Sequence, residues 1–354
     1  MIRDWIKSGA ANLLTKTGMD RRLAPRNVPV VIAYHRVVED FALASRTSNP
    51  SMLVSSQMLE RHLDWIGRRY QFVDLDEAGA RMEANLESSR QVAAITFDDG
   101  YRDFYELAWP ILQRKGIPAA VFVVTNYAGT DQVHLHDRLY LLLKRGLVTS
   151  RPSALDELRI PGLASMSPYQ AMRKLLESLP LDSLQRVVEK LESGDPISEE
   201  VCRPLRSLTW DQLERLHKAG ITIGSHTRTH VLLPNERKAR VIEEIAGSRA
   251  DIERCMPGLN VRHFAYPSGL FDSVAVKAVA SAGYRFAYAT TPARSSEHPL
   301  LTIPRAVLWE NSSVDAHSAF SGSVLDCQIH YAFDALTWMS AYRPSNLIRQ
   351  EDGR

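Results

Sequence analysis

Short apolar runs, recurring along most of the chain with helical patterns between them, constrain this sequence more than any other feature. They read "PVVIAYH" (29–35), "QFVDL" (71–75), "VAAITFDD" (92–99), "AAVFVVT" (119–125), "ITIGSH" (221–226), "RHFAYP" (262–267), "FAYAT" (286–290) and "LTIPRAVL" (301–308). Several are continuously apolar, the pattern of strands covered on both faces. The segments between them carry helix signals. "RDFYELAWPILQRKG" stops at Gly116 with Pro118 beyond, and "TWDQLERLHKAG" opens on a capping box of Thr209 and Gln212 and ends at Gly220. About eight strands alternating with helices predict an α/β chain, built as a parallel (β/α) barrel or an open doubly wound sheet.

The stretch 131–206 breaks this rhythm. Its patterns "DRLYLLLKRG", "PYQAMRKLLESL" and "LDSLQRVVEKLES", joined by Pro- and Ser-containing connectors, predict a helical insertion between two strands. The expected division is an N-terminal amphipathic, basic segment at 1–27, a barrel at 28–310 carrying the insertion, and a C-terminal tail at 311–354. A βα insertion rises from the catalytic face of a barrel, so 131–206 is expected to overhang the site.

A formal charge of +2 over 354 residues gives no case for a nucleic-acid partner. Cys202, Cys255 and Cys327 are far apart and odd in number, which suits a reducing compartment. The first residues lack the apolar core of a secretory signal, and no run approaches the roughly 20 residues of a membrane span. Ile2, Trp5, Ile6, Gly9 and Leu13 share one helical face, with Arg3, Lys7 and Lys16 among the other positions and Arg21, Arg22 and Arg26 following. Such a helix either packs on the domain or lies on an anionic membrane. The expected location is cytoplasmic, with peripheral contact at the inner membrane face.

Chemistry gathers where the apolar runs end. Asp98 and Asp99 close "VAAITF", and His226 and His230 in "SHTRTH" follow "ITIG". Residues at i and i+4 on a helical turn share a face, so the two imidazoles are expected to bind one divalent metal with Asp99 as third ligand. Asp98 stays free as general base. His35, Ser268, Gly269 and Arg305 also fall at or near strand ends. In a β/α barrel those ends form the catalytic face.

"TFDDGY", "SHTRTH" and "FAYPSG", in this order, resemble the polysaccharide deacetylase family: carbohydrate esterase family four, the NodB-like homology domain. The resemblance runs from about residue 28 to 308, interrupted by the insertion. "YHRV" and "FAYPSG" look most like the branch acting on poly-N-acetylglucosamine and related exopolysaccharides. The family implies a distorted parallel barrel of about seven or eight strands, a divalent metal, and hydrolysis of the acetamide on an N-acetylated sugar. By position, Asp98 resembles its catalytic base, and Asp99, His226 and His230 its metal ligands. Zinc suits that donor set, as do cobalt, nickel or manganese.

Two departures stand out. The family's third motif carries an arginine that pairs with the base and a tyrosine, where this chain has Ala265 and Ser268. Arg305 is expected to replace that arginine, with Arg262 the alternative, because the last strand adjoins the first when a barrel closes. The family's late histidine, its general acid, has no match in "IPRAV". His35 is the leading substitute, while His134, His136, His263 and His317 read as surface or structural residues. Tyr101 serves packing or substrate contact, Pro267, Ser268 and Gly269 line the substrate site, and Trp309 offers a sugar platform.

The leading expectation is a metal-dependent deacetylase of an exopolysaccharide or lipid-linked envelope sugar. The alternatives are a deformylase or deacetylase of a lipid-linked sugar in envelope assembly, and an inert saccharide-binding protein that keeps the metal site.

Overall fold

The structure, a computed structural model, describes residues 2–23, 29–84, 91–148, 162–193, 195–291 and 294–333. Every apolar run becomes a strand. They are β1 (Val30–Tyr34), β4 (Gln71–Phe72), β5 (Val92–Phe97), β6 (Ala119–Val123), β7 (Thr222–Ser225), β8 (His263–Ala265), β9 (Phe286–Ala289), β10 (Ile303–Pro304) and β11 (Ala306–Val307). All pair in parallel, in the order β10-β9-β8-β7-β6-β5-β1-β11, with β4 added beside β5.

One short segment closes the barrel. β10 pairs with β9 through Ile303 and Tyr288, and β11 pairs with β1 through Ala306 and Ile32. Residues 303–307 therefore bridge the two ends of the sheet, and Arg305 sits between the two half-strands. The open doubly wound alternative is set aside by this closure. Two further strands, β2 (Arg36–Val38) and β3 (Leu53–Ser55), form a separate parallel pair that the periodicity did not reveal.

Alternation along the strands sorts the side chains into two cores. Ala94 of β5, Ala120 and Phe122 of β6, Ala265, Tyr288 and Ile303 cluster inside the barrel, whereas Ala93, Ile95, Phe97, Val121 and Ile223 pack outward with helix residues such as Leu59, Leu63 and Leu112. A Cβ on Gly224 would stand 2.6 Å from the Phe122 ring. Only glycine leaves room there for the ring to fill the interior.

The helices form where periodicity and caps predict them, at Ser56–Gly67, Trp210–Lys218, Lys238–Cys255 and Ser273–Ser281. The capping box of Thr209 and Gln212 is present. Within 131–206 the described residues form helices at Leu135–Val148, Pro168–Ser178 and Leu181–Glu192; 149–161 and 194 lie outside the described residues.

The N-terminal helix, Ile2–Thr17, packs on the helix Gly322–Ile329 of the tail. Ala11 is buried there with Val324, Cys327 and Ala332, while Trp5 and Leu13 remain exposed. Arg26 lies outside the described residues. Among those described, no helix is long and apolar enough to cross a membrane.

Candidate metal centre and active site

Because all strands of the barrel run parallel, their C-terminal ends share one face, and the predicted residues meet there. Asp98 follows β5 and keeps the inward phase of Ala94 and Thr96. Asp99 then adopts φ of 68° and Gly100 φ of 67°. This left-handed pair turns two adjacent carboxylates in different directions, so one side chain enters the barrel and the other faces the loops.

Arg305 reaches Asp98 from the closing segment. Nη1 donates to Oδ1 and Nη2 to Oδ2, both at 2.7 Å, and Nη1 also donates to Thr96 Oγ1 at 3.0 Å. The guanidinium is fully buried and lies over the rings of Phe122 and Tyr288. Burial alone would raise the Asp98 carboxyl, but Arg305, with His226 and His35 behind it, brings it down to about 2. Arg262 precedes β8 at the opposite end, where it pairs with Asp76.

Asp99 is buried, and neither of its carboxylate oxygens has a hydrogen-bond partner. Oδ1 stands 3.3 Å from His230 Nε2 and 3.5 Å from His226 Nε2. The three ligand atoms lie within 4.8 Å of one another. His226 Nδ1 donates to the Ala265 carbonyl at 2.7 Å, which leaves the Nε2 lone pair facing Asp99. Burial, opposed by Asp98, lowers the His226 imidazole to about 4 and so keeps it neutral. Burial also lowers His230. Burial and then the charge of Asp98 push Asp99 well above the carboxylate range. A divalent cation fits this donor set. Two neutral imidazoles and a carboxylate share one locus, and the buried carboxylate has no other partner to satisfy it.

The two histidines do not converge by a helical turn, as the spacing suggested. Residues 226–230 form an irregular loop with positive φ at Thr227 and His230. The His230 amide donates to Thr227 Oγ1. Buried Glu244 anchors the loop by accepting from the Arg228 and Thr229 amides and the Thr229 hydroxyl.

His35 follows β1, partly buried, with Nδ1 lacking a hydrogen-bond partner. Burial lowers it, and the nearby charges of Asp98, Arg305, His136 and Asp137 also act on it. Pro267 is buried and Ser268 exposed in the turn after β8. A Cβ on Gly269, which has φ of 68°, would fall 2.0 Å from Thr290 Oγ1, so glycine is required. The amides of Gly269 and Leu270 close the turn onto Tyr266 and Pro267, and these two donors are committed. Trp309 follows β11, half-buried, on the same face.

Of the two roles open to Tyr101, packing is the one it takes. It is fully buried, and its hydroxyl donates to Asp137 Oδ2 at 2.6 Å. In sequence His134 and His136 read as surface or structural residues, and the surface reading is corrected. Both are buried at this site, and His136 Nε2 lies 3.8 Å from Asp99 Oδ2. Asp137 was missed altogether. The sequence "HLHD", two histidines and an aspartate at the start of an apolar helix, was the available signal. His263 is held at the other end by Asp76, and His317 rests on Trp5.

A family model described as polysaccharide deacetylase matches residues 85–287. The putative polysaccharide deacetylase YxkH of Bacillus subtilis (strain 168) is 25% identical over 155 residues, 44% of this chain and 50% of that protein. The chain thus spans half the length of this relative. The poly-beta-1,6-N-acetyl-D-glucosamine N-deacetylase of Staphylococcus epidermidis is 26% identical over 237 residues, 61% of this chain and 78% of that protein. The Streptococcus pyogenes deacetylase PplD, solved in complex with acetate, has a TM-score of 0.56 at 18% identity, covering 86% of this chain and 99% of that one. IcaB from Ammonifex degensii has a TM-score of 0.53 at 17% identity, covering 81% and 94%. The structural likenesses establish the barrel.

Proposed function

The chain belongs to the polysaccharide deacetylase family, and on that footing we propose that it is a metal-dependent hydrolase removing N-acetyl groups from an exopolysaccharide or its precursor. The convergence of His226 and His230 on the unpartnered Asp99 carboxylate, beside the Arg305-held Asp98, carries the reading. Asp99, His226 and His230 are the residues that would hold a divalent cation, with zinc favoured by the donor set. When bound, such an ion supplies Lewis acidity toward the acetamide oxygen and acidifies the attacking water.

Asp98 takes the proton of that water as its oxygen attacks the acetamide carbon. A carboxylate lowered to about 2 is a weak base. What Arg305 contributes is orientation, since its fork fixes both carboxylate oxygens. The proton that Asp98 took from water returns through His35 to the departing nitrogen as the C–N bond breaks, leaving acetate and a free amine. Ser268 and Trp309, on the same rim, contact the sugar.

The name of the staphylococcal relative supports a β-1,6-linked N-acetylglucosamine polymer as substrate class. The exposed Trp5 and Leu13, with Lys16, Arg21 and Arg22 also exposed nearby, support peripheral contact with an anionic inner membrane and so a lipid-linked or nascent form of it. The test is acetate release by the metal-loaded protein from β-1,6-linked N-acetylglucosamine oligomers, chitooligosaccharides and lipid-linked N-acetyl sugars. Release from none of them, nor from a chromogenic acetyl ester, favours the inert saccharide-binding alternative.

A further inference from the structure

We infer that Arg36 is the positioning residue for His35: its buried guanidinium ties the chain beside the imidazole to the aspartate loop and to the insertion. The inference rests on the role proposed above for His35 in protonating the departing nitrogen. Tyr34 pairs with Phe97 in the parallel ladder, and the Asp98 amide donates to the Tyr34 carbonyl at 2.9 Å. His35 and Asp98 are thus the next residues on adjacent strands. Both keep the inward phase, His35 that of Val31 and Asp98 that of Ala94. The proton taken by Asp98 has to reach His35, so the placement of the ring against the carboxylate governs that step. Nδ1 of His35 has no hydrogen-bond partner and does nothing to hold the ring. The ring's place depends on the backbone at either side.

On the far side, Arg36 holds that backbone. It is 3% exposed, and its guanidinium makes three kinds of bond. Nε donates to Asp103 Oδ2 and Nη1 to Ser48 Oγ, both at 2.8 Å, while Nη2 donates to the Pro204 carbonyl at 2.6 Å. A guanidinium carries five N–H donors, so no proton serves two of these acceptors. Asp103 Oδ1 accepts from the Val37 amide at 3.2 Å. One carboxylate therefore holds both the side chain and the main chain next to His35. Asp103 closes the stretch "DDGYRD", which opens on Asp98 and Asp99, so base and proton donor are referred to the same loop.

The insertion bears on this arrangement twice. Pro204 belongs to it, and Lys144, on its helix Leu135–Val148, donates to the Ser45 and Arg46 carbonyls of the loop that supplies Ser48. The guanidinium also lies over the Tyr101 ring, 5.2 Å from its centroid. Buried polar networks stiffen a site when their members are satisfied, and neither Arg36 nor Asp103 has an unpartnered buried atom.

The test uses the leaving group. An amine departs only with a proton supplied, whereas the nitrophenolate of 4-nitrophenyl acetate departs without one. Arg36→Lys keeps a charge opposite Asp103 but cannot span Asp103, Ser48 and Pro204 together. Acetate release from β-1,6-linked N-acetylglucosamine oligomers and hydrolysis of the ester are measured on the zinc-loaded full chain. The expected result is an amide kcat about 10- to 100-fold lower, with KM, zinc content and the ester rate unchanged. His35→Gln should shift the amide-to-ester ratio the same way. Should Arg36→Lys fail to fold, Ser48→Ala, which removes one acceptor and no charge, should shift the ratio in the same direction by less. A wild-type ratio in the variant that folds overturns the positioning role, and so does an equal loss on both substrates, which marks a general structural role. A wild-type ratio in His35→Gln overturns the proton donor itself. A wild type inactive on both substrates overturns the proposed function.

Discussion

Arg305 grips both carboxylate oxygens of Asp98, each at 2.7 Å, across 207 residues of chain. The family arginine is absent at Ala265, and the cation arrives from the strand that closes the barrel. A lysine at 305 keeps the charge but presents a single point where a planar fork stood. Arg305→Lys is expected to lower kcat about 10- to 100-fold, the scale of one charge-assisted bond, with metal content unchanged. Steady-state kinetics and metal analysis of the variant check it, and wild-type kcat would exclude the role. Arg305→Met leaves the buried Asp98 charge unpaired and should cost about 3–5 kcal/mol of stability, read by denaturant titration.

The two adjacent aspartates should separate cleanly. Asp98→Asn removes the proton acceptor while leaving the carboxylate beside His226 and His230, so metal is retained and kcat falls about 10²- to 10⁴-fold. Asp99→Asn should weaken metal affinity first. Metal content and rate measured on both variants decide between these roles, and equal metal loss in the two would show the division to be wrong.

His35 stands at the end of β1 with Nδ1 unpartnered. As the donor to the leaving amine, its replacement in His35→Gln is expected to reduce kcat about 10²- to 10⁴-fold. It should also abolish the limb of the pH–rate profile that reports its titration. A profile that keeps both limbs and its height assigns the proton to another group.

Stability should depend on pH through His62. Buried between the Tyr34 hydroxyl and Ser313 Oγ, it is lowered by burial from 6.5 to about 3. Between those values the unfolded chain binds a proton that the folded chain does not, so stability rises with pH. The contribution is complete above about 6.5 and is lost as pH falls toward 3. The slope is about 1.4 kcal/mol per pH unit. Burial shifts His263 and His330 the same way. Asp103, raised by burial against Arg36 to about 6, acts oppositely, its contribution being lost as pH rises through that value. Denaturant midpoints at pH 4 to 7 should therefore show a shallower slope in His62→Gln than in the wild type. Equal slopes would mean that His62 is not held neutral.

The barrel was legible because its strands are buried on both faces and so appear as unbroken apolar runs. The position of Arg305 was legible from topology, since the last strand must adjoin the first. The pair β2 and β3 was not, because each strand spans three residues and carries no period. His136 escaped for a different reason. Its place depends on contacts between the insertion and the "DDGY" loop, which lie 35 residues apart at Tyr101 and His136 and leave no local pattern. The i, i+4 argument for His226 and His230 assumed a helical turn, and the structure brings the pair beside Asp99 by a different geometry. Positive φ at Thr227 and His230 and the anchoring by Glu244 bring them together, and single-sequence periodicity cannot encode either.

The segment 303–307 has a consequence for the order in which the protein matures. A chain made from its N-terminus has Asp98, Asp99, His226 and His230 before residues 303–307 exist. Through that interval the sheet has two open edges, at β1 and β9, and each offers unpaired backbone groups to other chains. Asp98 meanwhile has no cation. Arrival of the five-residue segment 303–307 covers both edges and brings Asp98 its cation in the same step.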